Sequence, residues 1–175
     1  MAKTTSIRDA RVATASESLH DRRYVLRPIG RIARSDRGIC IDVLKPYRPA
    51  VQLLDRFTHL IVVWWADQHD TTKSRSILQG EPPSSPGRVH GVFATRDARR
   101  PNPIGPTTCR ILCIDEQEGM IQVADIDALD GTPVLDLKPY VPDCDRVQNV
   151  RIRECLSNRL EWMPEDGLGL SFSGR

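Results

Sequence analysis

Residues 91–96 read GVFATR and residues 99–106 read RRPNPIGP, so an apolar run leads directly into a basic loop. Pro101 and Pro103 fix their own φ angles, lack N–H donors and bias the residues before them away from the helical region. We expect Gly105 to give the backbone the freedom to turn. A stiff loop of this kind holds its polar side chains in place, and such loops carry binding sites more often than they serve as connectors. We therefore interpret residues 91–106 as a strand followed by a functional site.

A second stretch repeats this design. Residues 127–133 read DALDGTP, with the Asp-Gly pair typical of a tight turn, and residues 134–142 read VLDLKPYVP. At a period of two, Asp136, Lys138 and Tyr140 share one face of the predicted strand. Taken alone, the segment is equally consistent with a half-buried strand that has a solvated face.

Short apolar runs separated by turn residues predict about seven strands. They cover residues 24–34, 38–44, 60–65, 89–95, 107–115, 120–126 and 134–141. We expect a hairpin turn at Asp36 and Gly38, a short helix at residues 50–56, and the longest loop at residues 66–88. Strand–helix alternation and a Gly-rich phosphate loop, which would indicate a Rossmann domain, do not occur. The pattern predicts a mainly β fold, a small antiparallel β-barrel with short helices and long loops.

At 175 residues the chain is long enough for one domain with an adequate core. We predict an N-terminal arm at residues 1–23, the barrel domain at residues 24–160 and a C-terminal tail at residues 161–175. No apolar run is long enough to span a membrane, and the N-terminus lacks the apolar segment of a secretion signal. We therefore expect a cytoplasmic protein without a membrane partner.

The five cysteines are odd in number and form no Cys-x-x-Cys pair. Cys109 and Cys113 lie in one apolar run, where a period of two puts them on the same face. No histidine lies at ligand spacing to either, so we predict no metal site and interpret them as buried free thiols in a reducing cytosol.

The formal net charge of +2 is too small to indicate a nucleic-acid partner by itself. The distribution of charge is more informative. Residues 88–110 contain one acid, Asp97, and a group of arginines that could bind phosphates. These are Arg88, Arg96, Arg99, Arg100 and Arg110.

Together, the two stretches resemble the TrmO (YaeB-like) family of S-adenosylmethionine-dependent tRNA methyltransferases. The family pattern reads roughly GVFATRSPFRPNPIG and then LDGTPVLDIKPY, and this chain supplies residues 91–96, 100–105 and 129–140 with few changes. Weaker matches are PIGRI at residues 28–32 and FTHL at residues 57–60. The resemblance implies a β-barrel enzyme that binds S-adenosyl-L-methionine as a homodimer. Its implied substrate is tRNA, methylated on N6 of threonylcarbamoyladenosine next to the anticodon.

The resemblance also implies which positions contact the cofactor. Arg96 or Arg100 can form a bidentate salt bridge with the carboxylate of the cofactor's amino-acid group. Asp130 or Asp136 can bind its ammonium group or its ribose hydroxyls. The backbone of the loop and of the Asp-Gly turn can bond and sandwich the adenine. The predicted cofactor-binding residues are Asp67, Gln68, Arg96, Arg100, Asn102, Ile104, Pro106, Leu129, Asp130, Gly131 and Thr132.

The acceptor nitrogen of such a substrate is conjugated to a carbonyl and is a poor nucleophile, so a general base would help. The candidates are Asp136, Tyr140 and His59, although a lone histidine before an apolar run is more often structural. A splayed base would stack on Trp64, Trp65 or Tyr140. We interpret the two tryptophans rather as core residues, because they end a buried strand.

The chain departs from the family pattern in three places. Asp97, Ala98 and Arg99 replace Ser-Pro-Phe, Asp67 and Gln68 stand where a His-Gln pair is expected, and the loop after the first strand lacks a Pro-Arg-Gln-Pro segment. Substrate choice depends on such loops. An S-adenosylmethionine-binding paralogue with a different substrate or a regulatory, partner-binding role therefore stays open, as does a small-ligand barrel without catalysis.

Overall fold

Six antiparallel strands close a barrel in this protein. The computed structural model describes residues 22–82, 85–150, 162–164 and 167. In order around the barrel, the strands are β1 (Gly30–Ser35), β2 (Gly38–Val43), β7 (Met120–Val123), β6 (Ile104–Asp115), β3 (His59–Trp65) and β8 (Pro133–Pro139), which pairs with β1 again. A separate two-stranded sheet consists of β4 (Gln79–Gly80) and β5 (His90–Gly91). The predicted mainly β, antiparallel barrel is confirmed.

The helical segments within the described residues are all short. They are α1 (Thr72–Arg75), α2 (Pro142–Asp145) and 3-10 turns at Lys45–Val51, Leu54–Arg56, Asp67–His69 and Val92–Ala94. None of these segments has the length and apolar character required to cross a membrane. Most of the predicted arm and most of the predicted tail lie outside the described residues.

Alternate residues of each strand fill the barrel. Leu60 and Val62 of β3 are fully buried, and so are Ile121 of β7 and Val134 of β8. Burying each such side chain stabilises the fold by about 1.5–3 kcal/mol. The closed, packed wall is the rigid support from which the loops at its two ends project.

Neighbouring strands of the barrel run in opposite directions, so each end of the barrel carries its own set of connecting loops. Trp65 of β3 pairs with Ile104 of β6, and Trp64 pairs with Val134 of β8. We call the end that holds these pairs the arginine end, because the arginine-rich loop leads into β6 there. We call the opposite end, where β3 begins at His59, the histidine end. Six residue steps along β3 separate the two, which is about 20 Å at about 3.3 Å per step.

Among the predicted strands that are shorter than expected, the two at residues 24–34 and 89–95 differ most. Residues 22–28 are exposed, and β1 begins only at Gly30, where β8 first offers a partner. The strand predicted at residues 89–95 is reduced to β5, followed by the 3-10 turn. Residues 90–91 pair only with Gln79–Gly80 among the described residues. Without a longer partner, Val92 turns inward and becomes buried while Phe93 stays 79% exposed.

A β-bulge in β6 separates the two cysteines that periodicity places on one face. The register slips between Ile111 and Cys113, so that Cys113 pairs with Gln122. Cys109 is buried and Cys113 is exposed. The prediction of two buried thiols on one face is therefore wrong for Cys113. Burial raises the pKa of the Cys109 thiol to about 12, so this thiol is inert at neutral pH.

Candidate functional site

A pocket opens at the arginine end between β3 and the loop that precedes β6. Four predicted cofactor residues line it: Arg96, Arg100, Ile104 and Pro106. We call it the arginine pocket. Its volume on one chain is about 50 Å³, well below the roughly 300–1,000 Å³ of typical ligand sites. The pocket on one chain is therefore too small to enclose a ligand the size of a nucleoside.

Gly105 leaves room for Trp64, which also lines this pocket. The two residues are paired across β3 and β6, and a Cβ at position 105 would lie 2.2 Å from Cζ2 of the indole. The indole Nε1 donates a hydrogen bond to Oγ1 of Thr107 at 2.9 Å, and that hydroxyl donates to Asp127. The expected turn at Gly105 is wrong, because β6 has already begun at Ile104. The glycine is needed for close packing. Trp64 is only partly buried, against the core.

The proline loop is held by a residue that sequence reasoning missed. Arg75 of α1 donates from Nε to the carbonyl of Pro101 at 2.9 Å and from Nη2 to Oδ1 of Asn102 at 3.4 Å. Its Nη1 bonds Oδ1 of Asp70 at 3.1 Å. The predicted cofactor residue Asn102 is thus engaged with Arg75. No local spacing signals this contact, because α1 lies in a polar stretch that reads as loop.

The arginines of the loop differ in how they are held. Arg96 is exposed at the pocket, whereas Arg100 donates from Nη1 to the carbonyl of Thr95 at 3.3 Å. Arg99 forms a bidentate pair with Asp97, with Nη2 to Oδ2 at 2.7 Å and Nε to Oδ1 at 3.1 Å. These bonds hold the pKa of the Asp97 carboxyl below its usual range. Arg96 therefore has the least constrained guanidinium of the three.

The Asp-Gly turn before β8 lies at the same end. Gly131 has a φ of +78°, as the turn chemistry predicts, and Thr132 is buried. Oδ1 of Asp130 accepts a hydrogen bond from the backbone N–H of Arg34 at 2.7 Å. Leu129 accepts through its carbonyl from the N–H of Thr132 at 3.2 Å. One oxygen of Asp130 thus ties the turn to β1.

Asp67 and Gln68 occupy an exposed 3-10 turn directly after β3. The chain is tied to the arginine loop directly before this turn, because the backbone N–H of Ala66 donates to the carbonyl of Pro103 at 2.8 Å. The structure therefore brings every predicted cofactor-binding residue to the arginine end. Their contact with a cofactor stays a prediction.

The three predicted base candidates lie elsewhere on the chain. His59 and Tyr140 form an edge-to-face pair at the histidine end, with ring centroids 6.4 Å apart. Asp136 pairs with Val63 on the barrel wall and makes an ion pair with Lys138 at 2.8 Å. Within one chain, the barrel therefore separates His59 and Tyr140 from the arginine pocket. Their catalytic role stays a prediction.

The predicted arginine group is also divided by the fold. Arg110 pairs with His59 in the β3–β6 register, so it belongs to the histidine end. Proximity in sequence misleads here because β6 runs the full length of the barrel. Among the described residues, no group of three or more His, Cys, Asp or Glu side chains could hold a metal ion.

Comparisons with known proteins agree with this architecture. The sequence-family model of the tRNA-methyltransferase O N-terminal domain matches residues 26–146 of this chain. A probable S-adenosyl-L-methionine-binding protein of Pyrococcus abyssi is 34% identical over 148 residues, which is 83% of this chain and 77% of that protein. A mouse tRNA (adenine(37)-N6)-methyltransferase is 34% identical over 99 residues, 57% of this chain and 22% of that protein.

Solved structures give the same result. The crystal structure of TrmO from Pseudomonas aeruginosa superposes with a TM-score of 0.58 at 28% identity. The superposition covers 77% of this chain and 62% of that chain. The present chain thus spans less than two thirds of the solved relative and about a fifth of the mouse protein.

Proposed function

Because the chain belongs to the tRNA-methyltransferase O family, we propose that it is an S-adenosyl-L-methionine-dependent methyltransferase acting on N6 of threonylcarbamoyladenosine in tRNA. The observation that carries the proposal is the convergence of two motifs on one barrel end. The arginine loop at residues 96–106 and the Asp-Gly turn at residues 129–132 are far apart in sequence, yet both open at the arginine end. The proposal includes a cytoplasmic location, because mature tRNA acts there.

The residues at the arginine end fit the proposed cofactor. Arg96 is exposed at the pocket and can form a bidentate pair with a carboxylate. Backbone groups of the Asp-Gly turn and the ring of Pro106 offer hydrogen bonds and an apolar face for an adenine. When bound, the cofactor supplies the methyl group. The chain has to orient the acceptor in line with that methyl and exclude water.

The proposal includes a homodimer. The arginine pocket on one chain is too small to enclose the cofactor, so a second copy has to complete it. A dimer that places the histidine end of one copy beside the arginine end of the other is the condition under which His59 or Tyr140 could act as the base. Light scattering at micromolar concentration should give twice the monomer mass. The monomer mass would contradict this part of the proposal.

Calorimetry with S-adenosyl-L-methionine tests the central claim. We expect saturable binding by the wild type. No binding at high micromolar cofactor would overturn the methyltransferase assignment. Methyl transfer is then measured on tRNA from a strain that lacks the gene, with nucleosides identified by mass spectrometry.

One observation favours an alternative function, an S-adenosylmethionine-binding paralogue with a different substrate or a regulatory role. Asp97 and Arg99, which depart from the family pattern, pair with each other in the loop beside the pocket. Cofactor binding combined with an unchanged methylated-nucleoside pool in the deletion strain would favour this alternative.

A further inference from the structure

Arg75 joins two segments that the sequence predicts to bind the cofactor. It is the last residue of α1, which follows the 3-10 turn at Asp67–His69. All three nitrogens of its guanidinium donate hydrogen bonds. Nε donates to the carbonyl of Pro101 at 2.9 Å, Nη1 to Oδ1 of Asp70 at 3.1 Å, and Nη2 to Oδ1 of Asn102 at 3.4 Å. We call these three bonds the Arg75 clasp, because they connect the turn after β3 to the proline loop.

Local bonds hold the clasp in place from the barrel side. Thr71 caps α1, since its side chain accepts from the N–H of Ser74 at 3.1 Å and its carbonyl accepts from the N–H of Arg75 at 2.9 Å. The indole Nε1 of Trp65 donates to Oδ2 of Asp70 at 3.1 Å, and the same ring lies 5.9 Å from the guanidinium of Arg75. Trp65 is the last residue of β3. The clasp is therefore anchored to the barrel wall.

The clasp borders the arginine pocket without entering it. Arg100 and Ile104, which lie on either side of the clasped residues 101 and 102, both line the pocket. Arg75 is not among the described residues that line it. Its guanidinium is engaged within the chain through every nitrogen. Arg75 can therefore act on a ligand of this pocket only through the loop that it holds.

The exposure of the clasp decides where its effect falls. The side chains of Arg75 and Asp70 are 43% and 37% exposed, and ion pairs at such exposure contribute little to the free energy of unfolding. Holding a loop in its binding arrangement has a separate effect, because less conformational freedom is lost when the ligand arrives. The apparent dissociation constant rises in inverse proportion to the fraction of molecules with the loop in that arrangement. The clasp should therefore affect affinity more than stability.

We propose that Arg75 is a positioning residue, which holds the proline loop and the Asp67–His69 turn in the arrangement that binds S-adenosyl-L-methionine. This inference rests on the proposed function and deepens it, because it names a residue outside the pocket that sets the affinity for the cofactor. It depends on the shape of the side chain as well as on its charge. A guanidinium presents its donors in a rigid, planar fork, whereas the ammonium of a lysine is a compact charge on a flexible stem. A lysine at position 75 therefore cannot hold the same three acceptors.

The test compares Arg75→Gln and Arg75→Lys with a matched control, Arg48→Gln. Arg48 also links two segments, because its Nη1 donates to the carbonyl of Gln117 at 3.0 Å and to Oε2 of Glu118 at 3.4 Å. It does so at the histidine end, away from the arginine pocket. Calorimetry gives the dissociation constant for S-adenosyl-L-methionine, and thermal unfolding gives the melting temperature of each variant. Methyl transfer to tRNA gives KM for the cofactor and kcat.

We expect both Arg75 variants to bind the cofactor about five- to tenfold more weakly, with melting temperatures close to that of the wild type. KM for the cofactor should rise while kcat at saturating cofactor stays near the wild-type value, because the bound cofactor then holds the loop. The control should bind the cofactor like the wild type, even if its melting temperature falls. A merely structural role for Arg75 would instead make affinity follow the melting temperature in all three variants.

The outcomes separate this inference from the proposed function. If the wild type binds the cofactor and methylates tRNA while both Arg75 variants match its cofactor affinity, the inference is wrong and the proposed function stands. Full recovery of affinity in Arg75→Lys would show that charge alone matters, which also overturns the positioning role. A salt-dependent loss of tRNA binding with unchanged cofactor affinity would make Arg75 a phosphate contact instead. If the wild type does not bind the cofactor, both the inference and the proposed function are wrong.

Discussion

The two ends of the barrel are built differently. At the arginine end, directed hydrogen bonds hold the loops, such as those from Arg75 to Pro101 and from the N–H of Arg34 in β1 to Asp130. The histidine end also has such bonds, as from the N–H of Leu53 to Glu116 at 3.3 Å, but its 3-10 turns border an apolar groove of about 350 Å³ that Leu53 and Phe57 help to line. Directed bonds fix where polar groups point, whereas apolar contacts fix only how closely elements approach. The bonds of Arg75 therefore fix the proline loop at the arginine end, whereas the histidine end combines its bonds with an apolar groove.

The largest effect we predict tests whether the arginine end depends on close packing. Gly105→Ala should lower the free energy of unfolding by about 2–3 kcal/mol, because the new methyl collides with an indole that is held in place. Gly91→Ala is the matched control, since a Cβ there meets no atom within 4 Å. Urea denaturation measures both. Equal stability of the two variants would show that Trp64 moves aside freely.

The next effect tests whether the arginine end binds the cofactor. Arg96→Ala should remove a charge-assisted bond of about 1.5–3 kcal/mol, which weakens cofactor binding by about ten- to a hundredfold. Arg99→Ala should have a much smaller effect, because Arg99 is already paired with Asp97. Calorimetric titration of both variants gives the answer. Unchanged affinity for Arg96→Ala would refute its assignment, and a salt-dependent loss of tRNA binding alone would make it a phosphate contact.

A smaller effect tests whether the two ends are independent. His59→Gln should leave the cofactor dissociation constant within about twofold of the wild type, since sites more than about 10 Å apart rarely couple. The same variant is assayed for kcat at saturating tRNA. A strong loss of kcat would support the proposed dimer, in which a second copy brings this end to the cofactor. If kcat is also unchanged, His59 has no catalytic role.

The smallest effect concerns the pH dependence of the Asp97–Arg99 pair. The pKa of Asp97 is lowered in the folded state, so its contribution is present above the unfolded value of about 3.9 and is lost as the pH falls through the lower folded value. Asp97→Asn should cost at most about 0.5 kcal/mol at pH 7, because Arg99 is half-exposed. The difference should vanish near pH 2 in denaturation curves. A difference that persists there would have another cause.

Much of the fold could be predicted because it is encoded locally. Alternation at residues 38–44 and the apolar run at residues 60–65 predict β2 and β3 to within one residue, and the Asp-Gly pair predicts the turn at Gly131. Side-chain periodicity and the freedom of glycine at positive φ act over a few residues. They are therefore visible in the chain itself.

The site itself depended on which elements become neighbours. Closure of the barrel placed Arg75 against the proline loop, carried Arg110 to the far end and set the indole of Trp64 against Gly105. A single bulge moved Cys113 to the opposite face from Cys109. The sequence alone determined the strands, the turns and the motifs that group the chain with its family. Only the tertiary structure decided which side chains meet, because strand register and contacts between distant residues arise when the sheet closes.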